Sequence, residues 1–240
     1  MRMVTKRRNL FAVAALVTGL CASTLHGDTS ASAYQLTQQA GELHDKGDFD
    51  GAYKRLEAAI AIDRNHWPAY YWRALIRVYR HDCNGALSDC DVVLRLQPKF
   101  VAAAVLRASA NHCLKRYAAE LAELNHVIKL HPPSREVLSK AYNQRAWLYA
   151  TCPDPKFRNG KQALKDAKAA NGYNGGEADI LDTFAAAYAE TGDFAAAIKT
   201  QENAIASIHP ALLVPTPGKD PKASYQRHLD QLKKGQPIRD

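Results

Sequence analysis

Three alanines, Ala40, Ala74 and Ala108, stand 34 residues apart, and the same apolar pattern recurs around each of them. A fixed period of this length describes a stack of identical supersecondary units, each unable to bury its own hydrophobic face without its neighbours. Counted from Ala33, Trp67 and Val101 as first residues, the eighth position is alanine in every copy, and two further copies supply Ala146 and Ala185. The twentieth position is Ala52, Ala86, Ala163 and Ala197, with Glu120 as the exception. The twenty-seventh is Ala59, Val93, Val127, Ala170 and Ala204. Small residues at three fixed places predict two helices pressed closely together in every copy.

The punctuation between these places fits helix, turn, helix, stop. Lys46-Gly47-Asp48 in the first copy and Thr191-Gly192-Asp193 in the last mark the turn, where glycine accepts the left-handed backbone that ends a helix. Ile60, Ile62, Leu94, Leu96, Ile128 and Leu130 complete the second helices, and Pro98 and Pro132 then end two of them, because proline cannot donate to the helical ladder.

These residues resemble the tetratricopeptide repeat (TPR) family, whose small residues at positions 8, 20 and 27, aromatic at 17 and proline at 32 are matched by Ala40, Ala52, Ala59, Phe49, Tyr117, Phe194, Pro98 and Pro132. Departures are Cys83 at position 17, Arg64 and His209 at 32, and Arg77 and Asn111 at 11. The resemblance implies an all-α, right-handed superhelical solenoid of five repeats, 34–66, 67–100, 101–134, 135–177 and 178–211, followed by a linker and capping helix in 212–240. The fourth copy is longer, with about four residues added before its first helix and five between its helices, in the stretch Thr151 to Gly160. Two prolines and a glycine there argue against helix. Together with Asp182 to Tyr188 and the tail, this copy is similar to a subgroup of exported bacterial repeat proteins. In the tail, Asp220 and Pro221 predict the start of a helix on which Tyr225, Leu229 and Leu232 share a face.

Residues 1–33 are expected to be a cleavable signal peptide. Arg2, Lys6, Arg7 and Arg8 precede an apolar run from Leu10 to Leu20, and Ala31-Ser32-Ala33 offers a small-x-small cleavage pattern, with Ser23 as an earlier place for the cut. Arg7 to Phe11 also resembles the core of a twin-arginine signal, although Lys6 stands where serine or threonine is usual. Leu20 before Cys21 does not suit lipidation. The apolar run is too short for a permanent span, so a periplasmic or secreted destination follows. Removing 1–33 takes four of 32 basic and one of 24 acidic residues, leaving 207 residues with 28 basic, 23 acidic and a net charge of +5. That mild excess does not imply nucleic acid.

Two constellations follow the repeat register. Arg73, Arg107 and Arg145 occupy position 7 of the three middle copies, and Asp89, Glu123 and Asp166 stand sixteen places later in register. Arginine half-buried between helices needs an acceptor, so these six are read as structural ion pairs; a basic stripe for an anionic ligand is the alternative. Cys83 and Cys113 fall at places that are neighbours in a stacked array, where a disulfide or two small buried hydrophobes both fit.

First-helix residues line the concave face of such an array, which nominates Tyr71, Leu75, Val105, Ser109, His112, Asn143, Trp147 and Asp182 as a peptide-binding groove. Some family members hold a chaperone's terminal carboxylate with groove lysines and asparagines; Thr37 and Gly41 occupy the corresponding places here, so that activity is not carried over. His112 and His126 lack metal-ligand spacing, there is no Cys-x-x-Cys, and no nucleophile triad, phosphate loop or zinc motif occurs. The expectation is a non-catalytic scaffold without cofactor or metal that binds a protein or peptide, with no nucleic acid, no membrane span after cleavage and an open oligomeric state. A structural subunit of an envelope assembly, using the convex face or the 153–160 loop, is the alternative; an unrecognised enzyme is the remote one.

Overall fold

The structure, a computed structural model, describes residues 27–174, 176–208 and 222–239. The basic start and apolar run of the expected signal, Cys21, His209, and the linker through Pro215, Asp220 and Pro221 lie outside the described residues. Among the described residues there are eleven α-helices and no strand. They form five antiparallel pairs: α1 (Gly27–Asp45) with α2 (Phe49–Ile62), α3 (Trp67–Tyr79) with α4 (Cys83–Leu96), α5 (Val101–Cys113) with α6 (Tyr117–Leu130), α7 (Arg135–Thr151) with α8 (Gly160–Asn174), and α9 (Ala178–Glu190) with α10 (Phe194–Ser207). α11 (Ala223–Lys233) follows on α10.

Alanine makes this stacking possible. Ala74, Ala108, Ala146 and Ala185 at position 8 are fully buried, as are Ala52, Ala86, Ala163 and Ala197 at position 20 and Ala59, Val93, Val127, Ala170 and Ala204 at position 27. A side chain of one carbon lets helix axes approach, and Leu56, Leu124 and Leu148 then fill the space beside the seam, each worth about 1.5–3 kcal/mol of transfer free energy. First helices touch successive first helices, α1 to α3, α3 to α5, α5 to α7 and α7 to α9, whereas second helices pack mainly on the first helices on either side, and α10 also on α11. The first helices therefore form the tighter, inner layer of the curve.

The ends of the helices have local causes. Asp48, Asp82 and Asp193 cap α2, α4 and α10 by accepting hydrogen bonds from the backbone N–H groups of Gly51, Gly85 and Ala196. Gly47 and Gly192 make the turns with φ of 80° and 88°, and the equivalent turns place His81 and Lys115 at φ 60° and 57°, a conformation that costs a residue with a Cβ of order 1 kcal/mol.

The described residues refine the expected element boundaries. α1 begins at Gly27, and Ala33, counted both as the end of the signal and as position 1 of the first repeat, is fully buried against that repeat, whereas its equivalents Trp67 and Val101 are half-buried. The residues added before repeat four lengthen α7 by a turn that buries Val137 and Leu138, with Ser134 capping it. The loop after α7 contains a 3₁₀ turn, Pro155–Phe157; Pro155 sits in the first turn, where no backbone donor is lost, and the Asp154 carboxylate accepts from the Lys156 N–H. Gly160 likewise belongs to α8. At the other end the described α11 runs from Ala223, and Lys222 before it makes no side-chain cap; the expected cap, Asp220, lies outside the described residues.

Candidate functional site

Position 7 shows how the register is locked. Arg73 donates from Nε and Nη2 to the two carboxylate oxygens of Asp89 at 2.9 and 2.7 Å. Arg107 does the same to Glu123, at 2.9 Å each, and Arg145 to Asp166, at 2.7 and 2.8 Å. Arg145 and Asp166 are 21 residues apart rather than 16: the five residues of the inserted loop leave the helix pair in register. Each planar fork matches one carboxylate.

The remaining donor of two of these arginines reaches back to the preceding repeat, a link the sequence reading missed. Arg107 Nη1 donates to Asp91 at 2.8 Å and Arg145 Nη1 to Asn125 at 2.6 Å; Glu57, in the matching place, acts on Arg73 through its charge. Burial opposes the charge on Arg73 and Arg145, but the partner carboxylates outweigh it and hold both guanidinium groups above their ordinary range. Arg77, at the position where a large apolar residue is usual, joins the first pair by donating to Asp89 at 2.8 Å and to the Gly85 carbonyl at 3.0 Å. Cys83 and Cys113 are joined as a disulfide, tying α4 to the end of α5; Cys90 and Cys152 are buried thiols, and burial, foremost, pushes the Cys90 thiol up to about 12.

On the inner wall a cavity of about 560 Å³ opens between the first helices of repeats two to five and the start of α6. Ser109 and His112 of α5, Asn143 and Trp147 of α7 and Asp182 of α9 line it, all nominated from the sequence. Val78, Tyr117, Glu120, Gln144 and Thr183 complete the wall, with His81, Lys115 and Asp179 beside them. Cys113 also faces it, so the disulfide braces one side.

The other three nominated residues are elsewhere. Val105 is 4% exposed and belongs to the core around Leu124 and Val127. Tyr71 packs edge-on against Phe100, with ring centroids 5.0 Å apart, and burial holds its hydroxyl pKa above the usual range. Leu75 is partly buried against the cores of the first two copies. In repeat two the aromatic residue ahead of α5 covers the inner face, so these positions serve packing rather than a groove.

Polar contacts set the cavity's character. His112 Nδ1 lies 2.9 Å from Glu120 Oε2, and Glu120 is only 2% exposed. Burial raises the Glu120 carboxyl above the usual range, and His112 partly opposes this. Gln144 donates to Ser109 at 2.8 Å. Asp182 meets His228 Nδ1 at 2.9 Å, and His228 from α11 also lies against Trp147 at 5.7 Å. The terminal helix thus braces two of the cavity's wall residues from behind as well as burying Leu229 and Leu232. Beyond it Arg239 pairs with Glu190 at 2.7 Å and donates to the Ala150 carbonyl. The 153–160 loop is held beside the cavity by Phe157 against Tyr117 and by Arg158 with Glu190 at 3.2 Å. Sequence reasoning missed His228, which only the fold brings there, and noted Glu120 merely as an exception to alanine.

No protein-family model matches the chain. A thermophilic TPR protein of Thermus thermophilus, TTC0263, superposes with a TM-score of 0.65 over 82% of this chain and 98% of its own, at 17% identity. MamA (residues 41 to end) of Desulfovibrio magneticus RS-1 does so at 0.53, over 76% and 97%, at 16% identity. These likenesses show the fold: the chain is a TPR-type α-solenoid. Among curated proteins it is 28% identical over 131 residues to the tetratricopeptide repeat and J domain-containing co-chaperone DNJ1 of Cryptococcus neoformans, and 26% identical over 138 residues to serine/threonine-protein phosphatase 5 of Rattus norvegicus. The matches take in 48% and 55% of this chain but only 25% and 28% of those relatives.

Proposed function

We propose that the chain is a non-catalytic scaffold that binds a protein or peptide in the concave groove formed by its first helices. The observation that carries this reading is the inner-wall cavity, where an aromatic surface and hydrogen-bonding side chains from four repeats converge on rigid helices. A repeat-bearing co-chaperone among its relatives agrees with a binding role. The similarity to phosphatase 5 leaves most of that enzyme unmatched, so it carries repeats across rather than a catalytic reaction. Filling the cavity with Ser109→Phe is expected to abolish capture of the partner from an envelope extract, while Lys168→Glu on exposed α8 leaves capture intact. Loss in the second variant alone would transfer the role to the outer face and to an envelope-subunit reading.

Export belongs to the same proposal. The basic and apolar start of the chain supports it, as does the Cys83–Cys113 bridge, a type of bond that persists in oxidising compartments. Burial of Ala33 favours the earlier cut near Ser23 over one after Ala33, which would shorten α1. N-terminal sequencing of the mature protein decides between them.

A further inference from the structure

Glu120 is the most unusual side chain of the inner wall. Its repeat position holds Ala52, Ala86, Ala163 and Ala197 in the other four copies, all fully buried. A carboxyl group there is taken out of water in a seam that needs only a methyl group, a desolvation cost that its 2.9 Å contact with His112 offsets in part. It lines the cavity.

The remaining wall repeats the preference. Asp179 and Asp182 bring two more carboxylates, against one lysine, Lys115, and two histidines, His81 and His112; His112 contacts Glu120 and His228 contacts Asp182, while the third carboxylate is that of Asp179. Burial among surrounding atoms raises the Asp179 carboxyl above its usual range, against the opposing pull of backbone N–H groups at Ile180 and Asp179 and of the Lys140 charge, although much of that residue's surface still meets solvent. Asn143 and Gln144 each carry a covered amide oxygen that receives no hydrogen bond, and a soft terminal torsion can turn either toward the cavity. The wall therefore offers acceptors in excess of donors, beside the face of Trp147.

Resting on the groove reading above, we propose that this cavity recognises the guanidinium group of an arginine side chain presented by an extended partner peptide, with Glu120, Asp179 and Asp182 supplying charge and Asn143 and Gln144 supplying acceptors. Guanidinium carries five donors in a plane, takes carboxylates two bonds at a time and stacks on indole. A carboxylate ligand would meet three acids and two acceptor oxygens against a single lysine and two histidines. Charge complementarity selects the cation.

The test is an NMR titration of the isotopically labelled chain with three capped pentapeptides, alanine throughout except for a central arginine, citrulline or glutamate. The arginine peptide is expected to shift the Trp147 indole resonance and to bind at least about tenfold tighter than the citrulline peptide, which keeps the shape without the charge. Glu120→Ala, which installs the residue of the other repeats, is expected to keep the fold and erase that preference. Asp179→Asn at the exposed rim is expected to weaken it and serves if Glu120→Ala does not fold. Equal binding of arginine and citrulline peptides, or tighter binding of the glutamate peptide, would overturn the cation assignment and leave the groove reading standing. Binding of none of the three at millimolar concentration would overturn the cation assignment and count against the groove itself.

Discussion

Individual side chains in this molecule divide by whether water can reach them. Asp166 is 1% exposed and accepts from Arg145 and Gln162, so Asp166→Asn leaves a guanidinium charge in the seam without its counter-charge. A loss of about 3 kcal/mol is expected in urea unfolding, whereas Glu136→Gln, which breaks the exposed pair with Lys140, is expected to change stability by less than about 0.5 kcal/mol. His66 supplies a pH effect of definite sign. Its Nε2 lies 3.0 Å from the Thr37 hydroxyl, and burial lowers its pKa from 6.5, with Asp63 partly opposing. The unfolded chain then takes up this proton first as pH falls, so the contribution is present above pH 6.5 and is lost below it. Glu120, raised above 4.5, acts in the opposite direction: its folded form holds the proton longer as pH rises. Comparing urea midpoints at about pH 7.5 and about pH 5.5, either side of the ordinary histidine pKa, in the chain and in His66→Gln isolates the histidine; the acid-induced loss is expected to be smaller in the variant.

At the scale of helices, the governing quantity is the distance that alanine permits. Ala74 has no exposed surface and sits between α3 and its neighbours; Ala74→Leu adds three carbons to a filled seam, at a cost of about 1–3 kcal/mol or more. Circular dichroism should show a melting temperature at least about 5 °C lower, and an unchanged melt would mean that the seam is looser than described. The helix pairs were legible in the sequence because the 34-residue period, the Gly-Asp turns and the small residues are all local signals. The length of α7 was not, since an insertion of about four residues can as well be loop as an added helical turn; burial of Val137 and Leu138 decides for helix. The inner wall was legible in part. Ser109, His112, Asn143, Trp147 and Asp182 line the cavity, but Tyr71, Leu75 and Val105, on the same face by register, are covered by neighbours such as Phe100 that no periodicity identifies.

Across the whole molecule, the two layers of the solenoid meet at the cavity. Outer helices anchor the arginine forks and receive α11, while inner helices, with Tyr117 and Glu120 from the outer α6, line a largely apolar cavity carrying a few polar groups, with His228 holding one of its walls through Asp182 and the pinned loop beside it. No helix among the described residues is long and apolar enough to cross a membrane. The account's central claim is that a partner is held on the inner wall. Placing a photo-crosslinking residue at Ser109, and in a second variant at Lys168 on the outer layer, and irradiating each in an envelope extract tests it most directly. The account predicts a discrete adduct from position 109 and none from position 168; an adduct from 168 with none from 109 would contradict it.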